Sequence, residues 1–173
     1  MGQQIQTRTD VIQEILGYGD DSNVASLRNA KPNQVDELQA YFRAIFEPNE
    51  ESAAAFPTVT RHLVAIRVAS HTGSTSVVDW YSARARDARA ADDTIAQVRD
   101  VTTSTFGDSF LDAAIRHTDL LTKRPSEAQA SDLDALKGAG FSPQAVLALS
   151  QTIAFVSYQL RLIAGLRAFG EQS

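Results

Sequence analysis

The long apolar segment at residues 146–166 constrains the fold more than any other part of the chain. Its first apolar stripe follows helical steps of three and four residues and contains Val146, Leu149, Ile153, Val156, Leu160 and Ile163. A second apolar stripe contains Leu147, Phe155, Tyr158, Leu162, Leu166 and Phe169. The third face is small, with Ser150, Ala154, Ser157 and Gly165, and is interrupted by Arg161. Such a helix is expected to be enclosed on most sides.

This segment is about long enough to cross a bilayer, but its polar residues favour another interpretation. Gln151, Gln159 and Arg161 are costly in lipid unless they have buried partners. We therefore expect a buried helix in a soluble protein, with no membrane partner. In a chain this short, a subunit contact is a natural way to enclose the helix, which predicts a homo-oligomer, a dimer or larger. The alternative is a central helix inside a monomer.

The rest of the chain shows helical periodicity and helix-ending residues, with no sustained strand-like alternation, and this predicts an all-α fold. With 173 residues, one domain over 1–173 can bury a sizeable core without disulfides or metal. Its expected parts are N-terminal helices in 1–50, a helix-break-helix unit in 57–90 and a helical pair in 126–170. Residues 47–57 are predicted to be a loop. The expected helix caps are Thr9 or Asp10, Ser74, Asp92 or Asp93, and Ser142, and Gly107 with Asp108 is expected to precede a further helix.

Composition excludes several classes of function. The formal net charge is -5, with 16 basic residues interspersed among 21 acidic ones, so the chain has no basic stripe for nucleic acid. The chain has no cysteine, which rules out disulfides, thiolate nucleophiles and thiolate metal ligands. The start of the chain lacks an apolar signal core, and Gln6 stands where N-myristoylation requires Ser or Thr. We expect a cytoplasmic protein.

Three stretches carry a resemblance to a known family. They are "RHLVAIRVASHTGSTSVVDWY" at residues 61–81, "LRNAKPNQVDELQAYFRAIFEP" at 27–48, and "DLDALKGAGFSPQAVLALSQTIAFVSYQLRLIAGL" at 132–166. The last contains a "DxxALxxAGFS" turn followed by an "AFxxYxxR" helix. Together they resemble the carboxymuconolactone decarboxylase-like superfamily, and within it the alkylhydroperoxidase D-like and peroxidase-related branches. The resemblance implies an alkylhydroperoxidase D-like helical bundle that assembles into dimers or larger rings.

The peroxidase relay of that family does not carry over to this chain. In the alkylhydroperoxidase branch a glutamate, two cysteines and a histidine form the relay, and the helix start stabilises the thiolate. Those positions fall here on His62, Ser74, Val77 and Tyr81, none of which keeps the family residue. A serine cannot replace a peroxidatic cysteine, because an alcohol has no sulfenic acid chemistry and is hardly ionised at neutral pH.

The residues at these positions each have two interpretations. His62 is either a base or proton shuttle or a core histidine. Ser74 is either an anion-binding hydroxyl or a simple helix cap. Tyr81, like its neighbour Trp80, can line a ligand cavity or fill the core. Arg161 is predicted to be buried, as a structural anchor or as an anion binder in a pocket.

No metal or cofactor is expected, because three scattered histidines make a poor ligand set. The leading hypothesis is a small-molecule-binding or accessory subunit without dithiol peroxidase activity, with a companion peroxidase-like protein as a possible partner. The alternative is a thiol-independent, decarboxylase-like enzyme that acts on an organic acid or lactone through His62. That alternative requires a polar cavity in which His62, Ser74 and Tyr81 converge.

Overall fold

The computed structural model describes residues 10–170, and in that range helices are its regular elements and no strand occurs. The predicted all-α class is therefore confirmed. The ten α-helices are α1 (Val11–Leu16), α2 (Asn23–Asn29), α3 (Pro32–Phe46), α4 (Glu50–Ala55), α5 (Thr58–Thr72), α6 (Thr75–Asp87), α7 (Asp92–Arg99), α8 (Ser109–Lys123), α9 (Ala130–Gly138) and α10 (Pro143–Gly170). A short 3-10 turn, Pro125–Glu127, joins α8 to α9.

Helix α5 lies at the centre of the fold. Every residue from 60 to 69 is buried, and the surrounding helices α6, α7, α8 and α10 all pack against it. Helices α3 and α5 also contact each other. One continuous hydrophobic core includes side chains from α1 at one end of the chain and from α10 at the other. A helix that is apolar around most of its circumference is stable only in such a position.

Several helix ends follow from local sequence. Asp10 caps α1 by accepting from the Ile12 amide, and Asp108 caps α8 by accepting from the amides of Phe110 and Leu111. Ser142 accepts from the Ala145 amide at the start of α10. Gly73 ends α5 with a φ of 68°, in the left-handed region where glycine has no steric penalty. Thr9, the alternative cap of α1, lies outside the described residues.

The predicted loop at residues 47–57 is wrong, because it contains the short helix α4. Asn49 caps α4 by accepting from the Ser52 amide, and a run of alanines then favours helix. The guanidinium of Arg61 on α5 holds this segment in place by donating to the carbonyls of Ser52, Phe56 and Ile45. The sequence pattern does not indicate α4, because a six-residue helix is marginal by itself and depends on such tertiary contacts.

One predicted cap is confirmed only in position, and another is wrong. Ser74 is the N-cap residue of α6, but its side chain makes no capping hydrogen bond. Ala91, rather than Asp92 or Asp93, is the N-cap residue of α7, and the two aspartates lie in the first turn. Carboxylates there still complement the positive end of the helix dipole.

Helix α10 is only partly enclosed by the described residues. Its first stripe packs into the core, whereas Leu147, Tyr158 and Phe169 of the second stripe are exposed by 59%, 52% and 44%. The small face, including Arg161, also faces outward. By length and composition α10 qualifies as a membrane span, but 50% of its most apolar window is buried inside the protein. The described part of one chain therefore leaves one side of this helix exposed.

Arg67 of α5 joins three separate parts of the chain. Its side chain is 1% exposed and bonds both carboxylate oxygens of Asp119 on α8, at 2.7 Å each. The same guanidinium donates to four carbonyls, that of Val98 near the end of α7 and those of Asp100, Val101 and Thr103 after it. His71 also contacts Asp119, with 2.6 Å between its Nε2 and Oδ1. Burial favours the neutral form of Asp119, but hydrogen bonds from Arg67 and His71 outweigh burial and lower its pKa.

We expect Arg67→Leu to lower the free energy of unfolding by about 3–5 kcal/mol, because it leaves Asp119 and several carbonyls without their donor. Arg99→Leu is the matched control, since Arg99 is 41% exposed and pairs with the exposed Asp79. Loss of that surface pair should cost about 1 kcal/mol or less. Urea unfolding of both variants measures the difference, and equal losses would contradict the assigned role of Arg67.

Candidate functional site

His62 lies on the buried side of α5, between aromatic side chains from two other helices. The residue is 6% exposed. Its ring stacks on Phe46 of α3, with 5.0 Å between centroids and 17° between planes, and lies 6.2 Å from the ring of Tyr81 on α6. Among the described residues, its Nδ1 is buried and has no hydrogen-bond partner. A buried polar atom without a partner is costly, which makes this position unusual for a purely structural side chain.

The His62 imidazole is neutral near pH 7. Burial, together with the smaller effect of the positive charges of Arg84 and Arg61, lowers its pKa from 6.5 to about 4. A neutral imidazole offers one N-H donor and one lone pair. His62 can therefore form hydrogen bonds with a ligand without bringing a charge into the interior.

Aromatic side chains form a wall of the cleft that His62 lines. We call this the His62 cleft; its volume is about 380 Å³, within the range of small-molecule sites. Phe42 and Phe46 of α3 line it, with 5.0 Å between their ring centroids, and so does Trp80 of α6, at 5.7 Å from Phe42. Trp80 is also the single tryptophan of the chain, so changes in the cleft can be followed by its fluorescence.

Charged side chains also line the His62 cleft. They are Glu14 of α1, Glu47 at the end of α3, and Arg84 and Asp87 of α6. Arg84 donates to Glu14 at 2.9 Å and lies over the Trp80 ring, with 3.1 Å from its Cζ to the ring centroid. The cleft thus combines an apolar wall with several polar groups, the usual composition of a small-molecule site.

Tyr81 and Val77 are part of the core and do not line the His62 cleft. Both are fully buried. The hydroxyl of Tyr81 donates to Oε1 of Gln159 on α10, and burial holds its pKa well above the usual value. Of the two interpretations considered for Tyr81, the structure favours the core. The nearby amide nitrogen of Gln159 is buried without a partner among the described residues.

Ser74 and Arg161 lie together, but at another cleft. Ser74 comes just after Gly73, the glycine that ends α5, and Gly73 follows His62 by eleven residues. At 1.5 Å per helical residue, the end of α5 therefore lies roughly 16 Å along the helix from His62. The cleft that Ser74 lines has a volume of about 440 Å³ and is also lined by Arg161 and Arg167 of α10. Arg161 is exposed and donates to the Ser157 carbonyl of its own helix, so the prediction that it is buried is wrong. The four relay positions therefore do not converge on one cavity.

A wider groove lies between α8 and α9, with a volume of about 850 Å³. His117 lines it and is buried, and burial lowers its pKa. Three carboxylates and three cationic side chains share the lining, namely Asp112, Asp119, Asp132, Arg116, Lys123 and Arg124. Opposite charges balance there and no phenylalanine, tyrosine or tryptophan contributes, whereas the His62 cleft has an aromatic wall. We therefore place the candidate site at His62 rather than in the larger groove.

Neither the protein-family models nor the curated proteins that were searched match this chain. The resemblance carried by residues 27–48, 61–81 and 132–166 thus stays a prediction. Function has to be inferred from the geometry of the site. The main contributors that sequence analysis missed are Glu14, Glu47, Arg84 and Asp87. One available signal was the position of Glu47 and Asp87 next to predicted helix ends, where acidic residues oppose the dipole.

We expect His62→Phe to reduce the loss of stability in acid. Because the folded pKa of about 4 lies below 6.5, the unfolded chain takes up the proton first. The stability that depends on neutral His62 is complete above pH 6.5 and is lost as the pH falls towards 4. From that shift, the free energy of unfolding of the wild type should fall by on the order of 2–3 kcal/mol between about pH 7.5 and about pH 4.5. The variant should not show this part of the loss.

Urea unfolding at the two pH values measures this effect. His62→Gln provides the control, because it also lacks a titrating ring but does not keep the aromatic stacking. Both variants should lose the same part of the pH dependence, while only His62→Gln loses the stacking at both pH values. An unchanged acid dependence in both variants would show that His62 does not titrate in this way.

Proposed function

We propose that this chain binds a small organic molecule in the His62 cleft, as a cysteine-free member of the carboxymuconolactone decarboxylase-like superfamily. One observation carries the proposal: a neutral, nine-tenths buried imidazole, whose Nδ1 has no partner among the described residues, lines an aromatic cleft of about 380 Å³. A bound molecule with a polar head and an apolar body satisfies both features. It buries its body against Phe42, Phe46 and Trp80 and hydrogen-bonds to His62.

Dithiol peroxidase activity is not part of the proposal. The chain has no cysteine, and Ser74 and Val77 stand at the two positions that the resemblance assigns to cysteines. Val77 is fully buried and has no group that can react. A cytoplasmic binding or accessory subunit is the role that remains consistent with these residues.

A thiol-independent enzyme is the second candidate. In its favour, a neutral His62 has a lone pair that can accept a proton from a bound molecule. It has weaker support, because a base with a pKa of about 4 accepts protons poorly at neutral pH. The groups that were expected to hold a substrate carboxylate, Ser74 and Arg161, line a different cleft. Binding without turnover is therefore the better-supported function.

We further propose that the outward side of α10 is a subunit interface. An exposed stripe follows alternating steps of four and three residues and contains Leu147, Gln151, Ala154, Tyr158, Arg161 and Gly165. Next to it, Tyr41 of α3 is exposed and packs edge-on against Phe155, with 5.3 Å between ring centroids. Small residues allow two helices to approach closely, and exposed apolar rings beside them are typical of an interaction surface. A second copy of this chain is the proposed partner, and a companion peroxidase-like protein is the alternative.

To test ligand binding, we expect Ala88→Phe to abolish it by filling the His62 cleft. Wild type, screened against small amines, alcohols, carboxylates and lactones, should show a ligand that raises the melting temperature and changes Trp80 fluorescence. Ala88, the C-cap residue of α6, lines the cleft, whereas Ala83 of α6 is exposed outside it, so Ala83→Phe is the matched control. The control should keep the response. Binding that survives in Ala88→Phe would place the site elsewhere.

To test the interface, we expect Tyr158→Lys to shift the protein from an oligomer to the 18.8 kDa monomer, because it places a charge in an apolar contact. Leu133→Lys is the control, since Leu133 is 39% exposed on α9, away from the stripe. It should leave the mass unchanged. Light scattering after size exclusion gives both masses. A wild type that is already monomeric would contradict self-association and direct attention to a different partner protein.

A further inference from the structure

We infer that the ligand of the His62 cleft is an organic ammonium ion with an apolar body. This inference rests on the proposed function and adds the chemical class of the ligand. The excess of negative charge at the cleft is the first observation. Three carboxylates line it, those of Glu14, Glu47 and Asp87, against the single guanidinium of Arg84. His62 contributes no charge near pH 7, so two negative charges remain without compensation in the lining.

The partners of these groups show where the excess lies. Glu14 accepts from Arg84 at 2.9 Å, so this pair is satisfied. Asp87 lies three residues after Arg84 on α6. Its negative charge favours the charged form of Arg84 without a hydrogen bond between the two side chains. Glu47 and Asp87 are both exposed at the mouth of the cleft, and in the described part of the chain no ion pair to either is found. An entering cation would meet these two carboxylates first.

The helix ends add to this negative potential. Glu47 is the C-cap residue of α3, and Asp87 is the last residue of α6, so two helix C-termini meet at the same cleft. A helix C-terminus carries partial negative charge from its free carbonyls, and a carboxylate there is locally unfavourable. Two such placements at one cavity are explained if a positive ligand compensates them. Arg61 donates to the Ile45 carbonyl near the end of α3, but its guanidinium does not line the cleft.

The aromatic wall fits the same ligand. Cations are attracted to the faces of aromatic rings, and tryptophan attracts them most strongly. Arg84 already lies over Trp80, which shows that the wall accepts a cation in this setting. Phe42 and Phe46 offer apolar surface for the rest of the ligand.

An organic acid fits this cleft poorly. Its carboxylate would face Glu47 and Asp87 and the two helix C-termini, which repel it. The cleft at Ser74 has the opposite character, with Arg161 and Arg167 and without an acidic residue in its lining. Charge therefore distinguishes the two clefts, and the His62 cleft is the one that selects cations.

Three probes with the same phenyl body test the inference: phenethylamine, phenethyl alcohol and phenylpropionate, which carry a cation, a neutral hydroxyl and an anion. Titration of the full-length protein near neutral pH, read by Trp80 fluorescence, gives the three dissociation constants. We expect phenethylamine to bind at least about tenfold more tightly than the alcohol, and phenylpropionate to bind most weakly. The affinity for phenethylamine should fall as salt is added.

Two variants assign the selectivity to residues. Glu47→Gln and Asp87→Asn keep the shapes of the side chains, and each should weaken phenethylamine binding at least about threefold without changing the affinity for the alcohol. Neither should lower the melting temperature of the free protein, because each removes a carboxylate from a helix C-terminus. Asp93→Asn is the matched control, since Asp93 is exposed in the first turn of α7 and does not line the cleft. It should leave all three affinities unchanged.

The outcomes separate this inference from the proposed function. Tightest binding of phenethylamine, weakened in both cleft variants and unchanged in Asp93→Asn, supports it. If the alcohol or phenylpropionate binds as tightly as the amine, with binding blocked in Ala88→Phe, the cleft binds small molecules but the ammonium inference is overturned. If no molecule of any charge class changes Trp80 fluorescence or the melting temperature, the proposed function fails and the inference fails with it.

Discussion

The structure depends on the burial of α5 together with its charged residues. Ten consecutive residues of this helix, 60–69, are buried, and they include Arg61 and Arg67. A buried guanidinium is tolerated only when its N-H groups find acceptors. Both arginines therefore donate hydrogen bonds to oxygen atoms of other segments. These bonds fix the positions of the segments that carry the oxygens.

The two arginines organise opposite parts of the protein. Arg61 donates to carbonyls near the ends of α3 and α4. Among the described residues, none of its hydrogen-bond acceptors is a carboxylate. Arg67 binds the carboxylate of Asp119 and the carbonyls of the segment after α7. The end of α3, held in this way, is where Phe46 stacks on His62 and where Glu47 reaches the His62 cleft. The packing of a buried cation thus also shapes the candidate site.

The cleft itself combines features that stability alone does not explain. His62 is held neutral by burial and by neighbouring positive charge, and its Nδ1 has no partner among the described residues. Glu47 and Asp87 stand at helix ends where they oppose the dipoles. A protein selected only for stability would replace such residues, because polar and charged groups at unfavourable positions lower the free energy of unfolding. A bound ligand that compensates His62, Glu47 and Asp87 explains why all three residues occur at the cleft.

The sequence by itself determined the helical class, the main helix boundaries and the absence of thiol chemistry. Caps such as Asp10 and Ser142 and the glycine at position 73 act within a few residues, so local pattern was sufficient to predict them. Tertiary structure alone decided which of the candidate residues meet. Glu47 and Asp87 are 40 positions apart in the chain and share a cleft, while Ser74 and Arg161 lie away from His62. Periodicity reports which face of a helix is apolar, but the partner of that face depends on how whole helices pack. For this reason the sequence could not predict that Arg161 is exposed, and it could not predict the residues that line the His62 cleft.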